Sequence, residues 1–389
     1  MQPRTRLTLA AAALAALGAT AAQAQSNVTL YGSIDQYLNY MKSSSGASVR
    51  AMEDGALLRS RIGLRGTEDL GGGYAAKFTL ENGFATDTGV QADSTRLFDR
   101  QAWVGLASPF GEVRFGRQNG STFIRGGMVD FTTRTLGSMV NNFGVPSRFD
   151  NDIAYISPKL FGGLQFDLHY ALAEQSAAAG GNRQSVFQAG ADYTVGSFAA
   201  AVTTLRAKPA NGAAVNKSVF YDMGLVNWNY GPGKVYLTYV RSNNSTRSQV
   251  GTSGTYINNG GTLLGNVGGV VAGSDNATTG ALAADAYRTY NIWQISADYQ
   301  VTQQLRVGAL IGRINDQGSA NDASGGAVGA YYDLSKRTTF YGLWDTLRNK
   351  GTAGFRPSGS AGLRSGFTAA NDVNGRTING FQAGVVHRF

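Results

Sequence analysis

From Asn27 onward the chain alternates apolar and polar residues at period two, the spacing of a strand whose successive side chains point to opposite faces. Val28, Leu30, Gly32 and Ile34 share one parity, and Tyr31, Ser33, Asp35, Tyr37 and Asn39 the other, out to about Met41. That run is far longer than the five or six residues usual for a globular strand. Leu57 to Gly66 sets Leu58, Ile62 and Leu64 against Arg59, Arg61 and Arg65, so that one face is apolar and the other strongly basic. Tyr74 to Phe84 repeats the pattern, with Phe78 and Leu80 opposite Lys77, Thr79 and Glu81. Thirteen further runs between Phe98 and Phe389 bring the prediction to sixteen strands.

The connectors differ by parity. Tight turns, among them Asp69–Gly73, Ser108–Gly111, Gly196–Ser197, Gly231–Gly233 and Ser335–Arg337, follow the even-numbered strands. Longer Ser/Asn/Gly-rich segments follow the odd ones, near 43–56, 85–97, 119–149, 174–184, 208–217, 243–286, 316–325 and 349–376. Short turns on one rim and long loops on the other are the signature of a membrane barrel with an even strand number. A soluble sandwich does not require that asymmetry.

Composition agrees. Charged residues make up 15% of the chain, well below the roughly 25% of soluble domains. No mature segment has 18 consecutive apolar residues; Ser248 to Ser274 lacks charge but is a Gly/Asn/Thr-rich loop. If the chain enters a bilayer it does so as strands, which must close, because lipid leaves no water to satisfy a sheet edge. The expected fold is therefore all-β: a 16-stranded antiparallel transmembrane β-barrel. Tyr239, Trp228, Tyr230, Trp293, Tyr299, Tyr331, Tyr341 and Trp344 are candidates for its interfacial girdle.

The absence of cysteine excludes thiolate catalysis and Cys-based metal clusters, and the two histidines leave little for a metal centre. Nothing calls for a cofactor. Residues 1–24 carry Arg4 and Arg6, an Ala/Leu-rich stretch and Ala22-Gln23-Ala24, and read as a cleaved signal peptide. Residues 25–389 form one barrel domain, and loss of the leader takes the net charge from +9 to +7 as two arginines leave.

The segments VTLYGSIDQ (Val28 to Gln36), RSRIGLRGTEDLGGG (Arg59 to Gly73), RQAWVGLASPFGEVRFGRQ (Arg100 to Gln118) and the terminal GVVHRF (Gly384 to Phe389) resemble the general trimeric porins of Gram-negative bacteria, especially the β-proteobacterial type. The resemblance spans essentially the whole mature chain and weakens in the long loops. It implies a homotrimer in the outer membrane, in contact with its lipids and lipopolysaccharide, and a passive channel for small hydrophilic solutes and ions. It also implies that the aromatic-ended last strand, closing on Phe389, is the signal read by the outer-membrane assembly machinery.

By the same resemblance, the third extracellular loop, about residues 119–149, folds inward and narrows the lumen, and Arg61, Arg100 and Arg148 form a basic ladder on the barrel wall facing it, with Arg59, Arg65 and Lys77 as neighbours. Simple alternation would set Arg100 on the parity of Val104 and Leu106, and Glu81 is placed to act as the cluster's counter-ion. Where relatives carry an acidic PEFG-like segment, this loop has Asn141-Asn142-Phe143-Gly144, and Ser138 stands where another acid is common. Asp130 is the remaining pore acid, while Arg125 and Arg134 add positive charge. A basic wall and a neutralised loop point to anion preference.

Other functions fit less well. His169 shares a parity with Gln165 and Asp167, but no serine elbow accompanies it, and an enzyme is not expected. A surface-loop adhesin or structural barrel with little transport, or a nearly unselective pore, are the alternatives. The basic residues alternate with apolar ones on strands, so nucleic-acid binding has little support.

Overall fold

The computed structural model describes residues 27–93, 96–172, 185–207, 219–243, 249–250, 256–257, 289–318, 320–357, 359–360, 366–367 and 369–389. The expected leader and most of the expected loops at 174–184, 208–217 and 243–286 lie outside the described residues. In chain order the strands are β1 (Asn27–Ser43), β2 (Ser48–Asp54), β3 (Arg61–Gly71), β4 (Tyr74–Gly83), β5 (Gln101–Ser108) and β6 (Gly111–Asn119). There follow β7 (Arg148–Ile156), β8 (Leu164–Ala171), β9 (Val186–Val195), β10 (Phe198–Ala207), β11 (Val219–Asn229) and β12 (Gly233–Ser242). A small separate pair, β13 (Gln249–Val250) and β14 (Tyr256–Ile257), precedes β15 (Tyr290–Gln300), β16 (Leu305–Asp316), β17 (Ala323–Asp333), β18 (Thr338–Asn349) and β19 (Thr377–Arg388). Two short helices, α1 (Ser121–Gly126) and α2 (Met139–Phe143), lie between β6 and β7.

Every neighbour in the main sheet is antiparallel, and β1 pairs with β19 from Ser33↔Arg388 to Ser43↔Ile378, which closes the barrel. The 17 segments of that sheet make sixteen staves, because β2 and β3 pair with successive halves of β1 and act as one broken stave. The break corrects the expected long loop at 43–56. Ser43 N–H bonds Ala47 O in a tight turn, and the chain pairs again at once as β2. Residues 55–60 then leave the sheet. Leu57 is 7% exposed and Leu58 half-buried inside the barrel, so Leu58 does not share the outer face with Ile62 and Leu64.

Burial is inverted relative to a soluble protein. Val28, Leu30 and Leu38 of β1 are more than half exposed, whereas Ser33, Asp35 and Asn39 on the other parity are buried toward the lumen. Apolar residues line the outside because the bilayer is the solvent there. Trp228, Trp293, Tyr299 and Trp344 are exposed on that outer face, as a girdle requires. Tyr331 and Tyr341 are not in it. Both point inward and are buried, Tyr331 edge-on to Phe131 and Tyr341 donating its hydroxyl to Asp35 Oδ1 at 2.6 Å.

The segment between β6 and β7 folds into the lumen and is held there at several points. The first helix, α1, packs on β8, β9 and β10, and α2 on β15, β16 and β17. Phe143 is completely buried against Tyr221, Tyr290 and Phe355. Phe355 belongs to the connector after β18, so this last long loop also turns inward, a feature the strand pattern did not foretell. Its Ser360 N–H bonds Ala56 O at 2.9 Å, and the Thr135 hydroxyl from the inserted loop donates to the same carbonyl. The β2–β3 break is thus where two inward loops meet the wall.

Candidate functional site

The basic residues on the inner wall of β3 to β7 form a network with few carboxylates. Arg61 opens β3 on the inward parity; its Nε donates to Ser33 Oγ at 3.3 Å, and its Nη1 lies 3.9 Å from Glu81 Oε1. Glu81, near the end of β4, accepts from Arg100 Nε at 2.6 Å and from the Tyr31 hydroxyl at 2.9 Å. Parity on β5 does not govern Arg100, because the strand begins at Gln101. Its backbone N–H bonds Glu81 O while its side chain turns inward, 5% exposed. Gly83 makes this possible. A Cβ there would come within 3.1 Å of Arg100 Cδ and 3.3 Å of Arg59 Nε, so the missing side chain is the space the two arginines share.

Arg148 opens β7 at the root of the inserted loop. Its Nη1 donates weakly to Ser147 Oγ at 3.4 Å, its Nε and Nη2 have no hydrogen-bond partner, and its guanidinium lies 4.6 Å from the centre of the Phe123 ring. Arg134, from the far limb of the loop, lies 4.1 Å from the same ring. The π face of Phe123 therefore gathers two like charges that would otherwise repel.

Three further members were not anticipated. Asp150 receives Arg117 Nη1 at 2.6 Å and Arg96 Nη2 at 2.9 Å. That hydrogen bond to Asp150 holds the Arg96 guanidinium above its usual range. Alternation along Glu112, Arg114 and Gly116 would turn Arg117 to the lipid face. A register shift between Gly116 and Gln118, with Gly116 at φ 126°, re-aims it inward. The only trace in the sequence is the glycine of FGRQ.

Arg65 and Lys77 lie on the same wall, further toward the short-turn rim. Arg65 sits over the Tyr31 ring at 5.3 Å, and Lys77 pairs with Glu112 at 2.9 Å, not with Glu81.

The loop residues are placed differently from expectation. Asp130 is fully buried and does not face the lumen as a pore acid. Its Oδ1 accepts from Thr132 N, Thr132 Oγ1 and Arg134 N, and its Oδ2 from Gln294 Nε2 at 2.8 Å. Ser138, Asn141, Asn142 and Phe143 form the N-cap and body of α2 and are buried against the wall of β15 to β17, so with Gly144 they are an anchor and not the loop's exposed tip. The loop turns back at Thr133 and Arg134, both with left-handed φ, 57° and 65°; Thr133 is exposed there, whereas Arg134 is buried over Phe123. Arg125 contributes no unpaired charge, since Asp167 at 2.5 Å and Asp192 at 2.8 Å enclose it. His169 sits between Asp152 at 2.7 Å and Asp167 at 3.2 Å in the same buried network, bracing α1.

At the seam, Phe389 exchanges backbone hydrogen bonds with Gly32 at 3.0 and 3.1 Å, and its ring covers the glycine on the outer face.

Comparisons with known proteins agree with this architecture. The chain is 38% identical over 185 residues to an outer membrane porin protein of Bordetella pertussis, covering 43% of this chain and 48% of that protein. It is 27% identical over 396 residues to outer membrane porin protein 32 of Delftia acidovorans, covering 98% and 99% of the two. Among solved structures, the anion-selective porin from Comamonas acidovorans superposes with a TM-score of 0.72 at 24% identity, covering 94% of this chain and 100% of that one. Residues 10–352 match the model of the Gram-negative porins, and this chain, a closed antiparallel barrel with an inserted loop facing a basic wall, belongs to that family.

Proposed function

We propose that this chain forms a water-filled channel through the outer membrane for passive diffusion of small hydrophilic solutes and ions, and that it prefers anions. The observation that carries the charge preference is the imbalance across the lumen. On one side stand Arg61, Arg96, Arg100, Arg117 and Arg148, whose ion pairs use Glu81, Asp150 and Asp93, the last 3.2 Å from Arg96 Nε. On the other, the inserted loop has one acid, Asp130, and its carboxylate is consumed by loop backbone and Gln294. A narrow pore responds to the sign of the charge lining it. The solved relative is described as anion-selective, and the wall here has the charge for the same bias. The protein acts as a homotrimer in this reading, and Phe389 at the closing seam is the assembly signal.

Reversal potentials across a potassium chloride gradient in planar bilayers test the reading. Chloride over potassium permeability above one is expected, and a ratio below one would reverse the assignment. A barrel that admits no small sugars in liposome swelling would be an anchor and not a channel.

A further inference from the structure

Beneath the inserted loop, toward the short-turn rim, a cavity of about 710 Å³ opens between Thr133 of the loop turn, Arg306 and Tyr331 on the wall, and Lys336 and Arg388 at the strand ends. It is joined to the arginine ladder through the barrel's closing seam. Ser33 of β1 stands in register with Arg61 on one neighbour and with Arg388 on the other. Two inter-strand spacings place the two arginine Cα atoms about 10 Å apart. That spacing is about one Debye length at physiological salt, so the two charges are largely screened from each other but line one continuous wall. The positive wall therefore continues past β3, across the seam, to the mouth.

The groups around the cavity are unequally committed. Arg306 Nη1 donates to Phe131 O at 3.0 Å and lies 3.3 Å from Asp298 Oδ2, and its guanidinium covers Tyr331 at 4.3 Å, so it braces the inserted loop. Asp333, the one acid lining the cavity, accepts the Thr339 hydroxyl at 2.6 Å. Lys336 lies in the exposed turn between β17 and β18, and Arg388 is tied to that turn by its backbone N–H on Arg337 O at 2.8 Å. Among the described residues neither has a carboxylate within ion-pairing distance.

We propose that Lys336 and Arg388 form a second anion station, at the short-turn mouth, that holds a divalent inorganic oxyanion. The station rests on the channel reading above and extends it from a single constriction to two stations in series. A dianion gains twice the attraction of chloride from each cation. A tetrahedral oxyanion also has oxygens enough for the three donors of a lysine and the fork of an arginine.

The probe is inorganic phosphate at pH 8, added to one chamber at a time while chloride current is recorded through single reconstituted channels. Phosphate is expected to halve the current at a several-fold lower concentration from the short-turn side than from the loop side. Lys336→Gln and Arg388→Gln should each raise that short-turn value about threefold and together about tenfold, with the loop-side value unchanged. Lys336→Gln alone keeps the test decisive if Arg388→Gln fails to assemble beside Phe389. Equal block from both chambers in the wild type, or an unchanged value in Lys336→Gln, overturns the station while leaving an anion-preferring channel intact. A channel that prefers potassium overturns both readings.

Discussion

Replacing Arg148 by Gln removes one positive charge from the inner wall, together with its contact on the Phe123 ring, and breaks no ion pair. The side chain makes one weak hydrogen bond to Ser147 and no ion pair within 4 Å among the described residues, so no carboxylate loses its partner. An ion passing about 6 Å from the guanidinium in water feels about 0.7 kcal/mol. Screening at about 0.1 M salt lowers that to about 0.4 kcal/mol. Chloride loses this attraction and potassium loses the same repulsion, so the permeability ratio shifts by twice the amount, about 0.8 to 1.4 kcal/mol. With about 1.4 kcal/mol per factor of ten, the anion preference should fall about four- to tenfold. The assay is the reversal potential of single channels in a tenfold potassium chloride gradient, repeated at high salt, where the difference should shrink. Arg313→Gln is the control, because Arg313 pairs with Asp322 near the loop rim and is largely exposed. A change of less than twofold in Arg148→Gln, or a change equal to the control's, would mean that ions do not pass this wall.

Glu81→Gln should move selectivity the other way, raising anion preference about fourfold by the same electrostatics. It should also cost about 1–3 kcal/mol of stability, because Arg100 and Tyr31 lose a charged acceptor, a loss visible as earlier heat-induced unfolding on gels. Asp130→Ala leaves the N–H groups of Thr132 and Arg134 and the Gln294 amide without their acceptor; open-channel noise should rise as the loop loosens, while the reversal potential stays within twofold of wild type. A large selectivity change there would place Asp130 on the ion path after all. Ile295→Lys puts a charge on the lipid face of β15 and should destabilise the barrel by about 2–4 kcal/mol in denaturant titrations from bilayers, whereas a surface exposed to water would tolerate it.

Strand positions, their facing and the barrel itself were legible along the chain, because alternation at period two is a local property. A bilayer outside and water inside impose it on each strand separately, as β1 shows with Leu30 and Leu38 outward and Asp35 and Asn39 inward. Arg61 could be read the same way, since β3 begins at it and its parity holds along the strand. What alternation could not supply lies where the strand ladder is interrupted. Arg100 precedes its strand, Arg117 sits at a bulge, and the β2–β3 break turns Leu57 and Leu58 inward.

The inserted loop shows the limit most clearly. Its composition announced a neutral segment, but not that Asp130, Ser138, Asn142 and Phe143 would spend their chemistry on the wall, or that the loop would turn at Thr133 and Arg134 with Thr133 exposed and Arg134 buried. Those outcomes depend on partners far away in sequence, Gln294, Tyr221, Tyr290 and Phe355 among them. The chain by itself therefore determined that a closed barrel would form and that its inner wall would be basic. Only the tertiary structure decided which charges remain available in the lumen, because that depends on which carboxylate, carbonyl or ring the closed barrel brings beside each one.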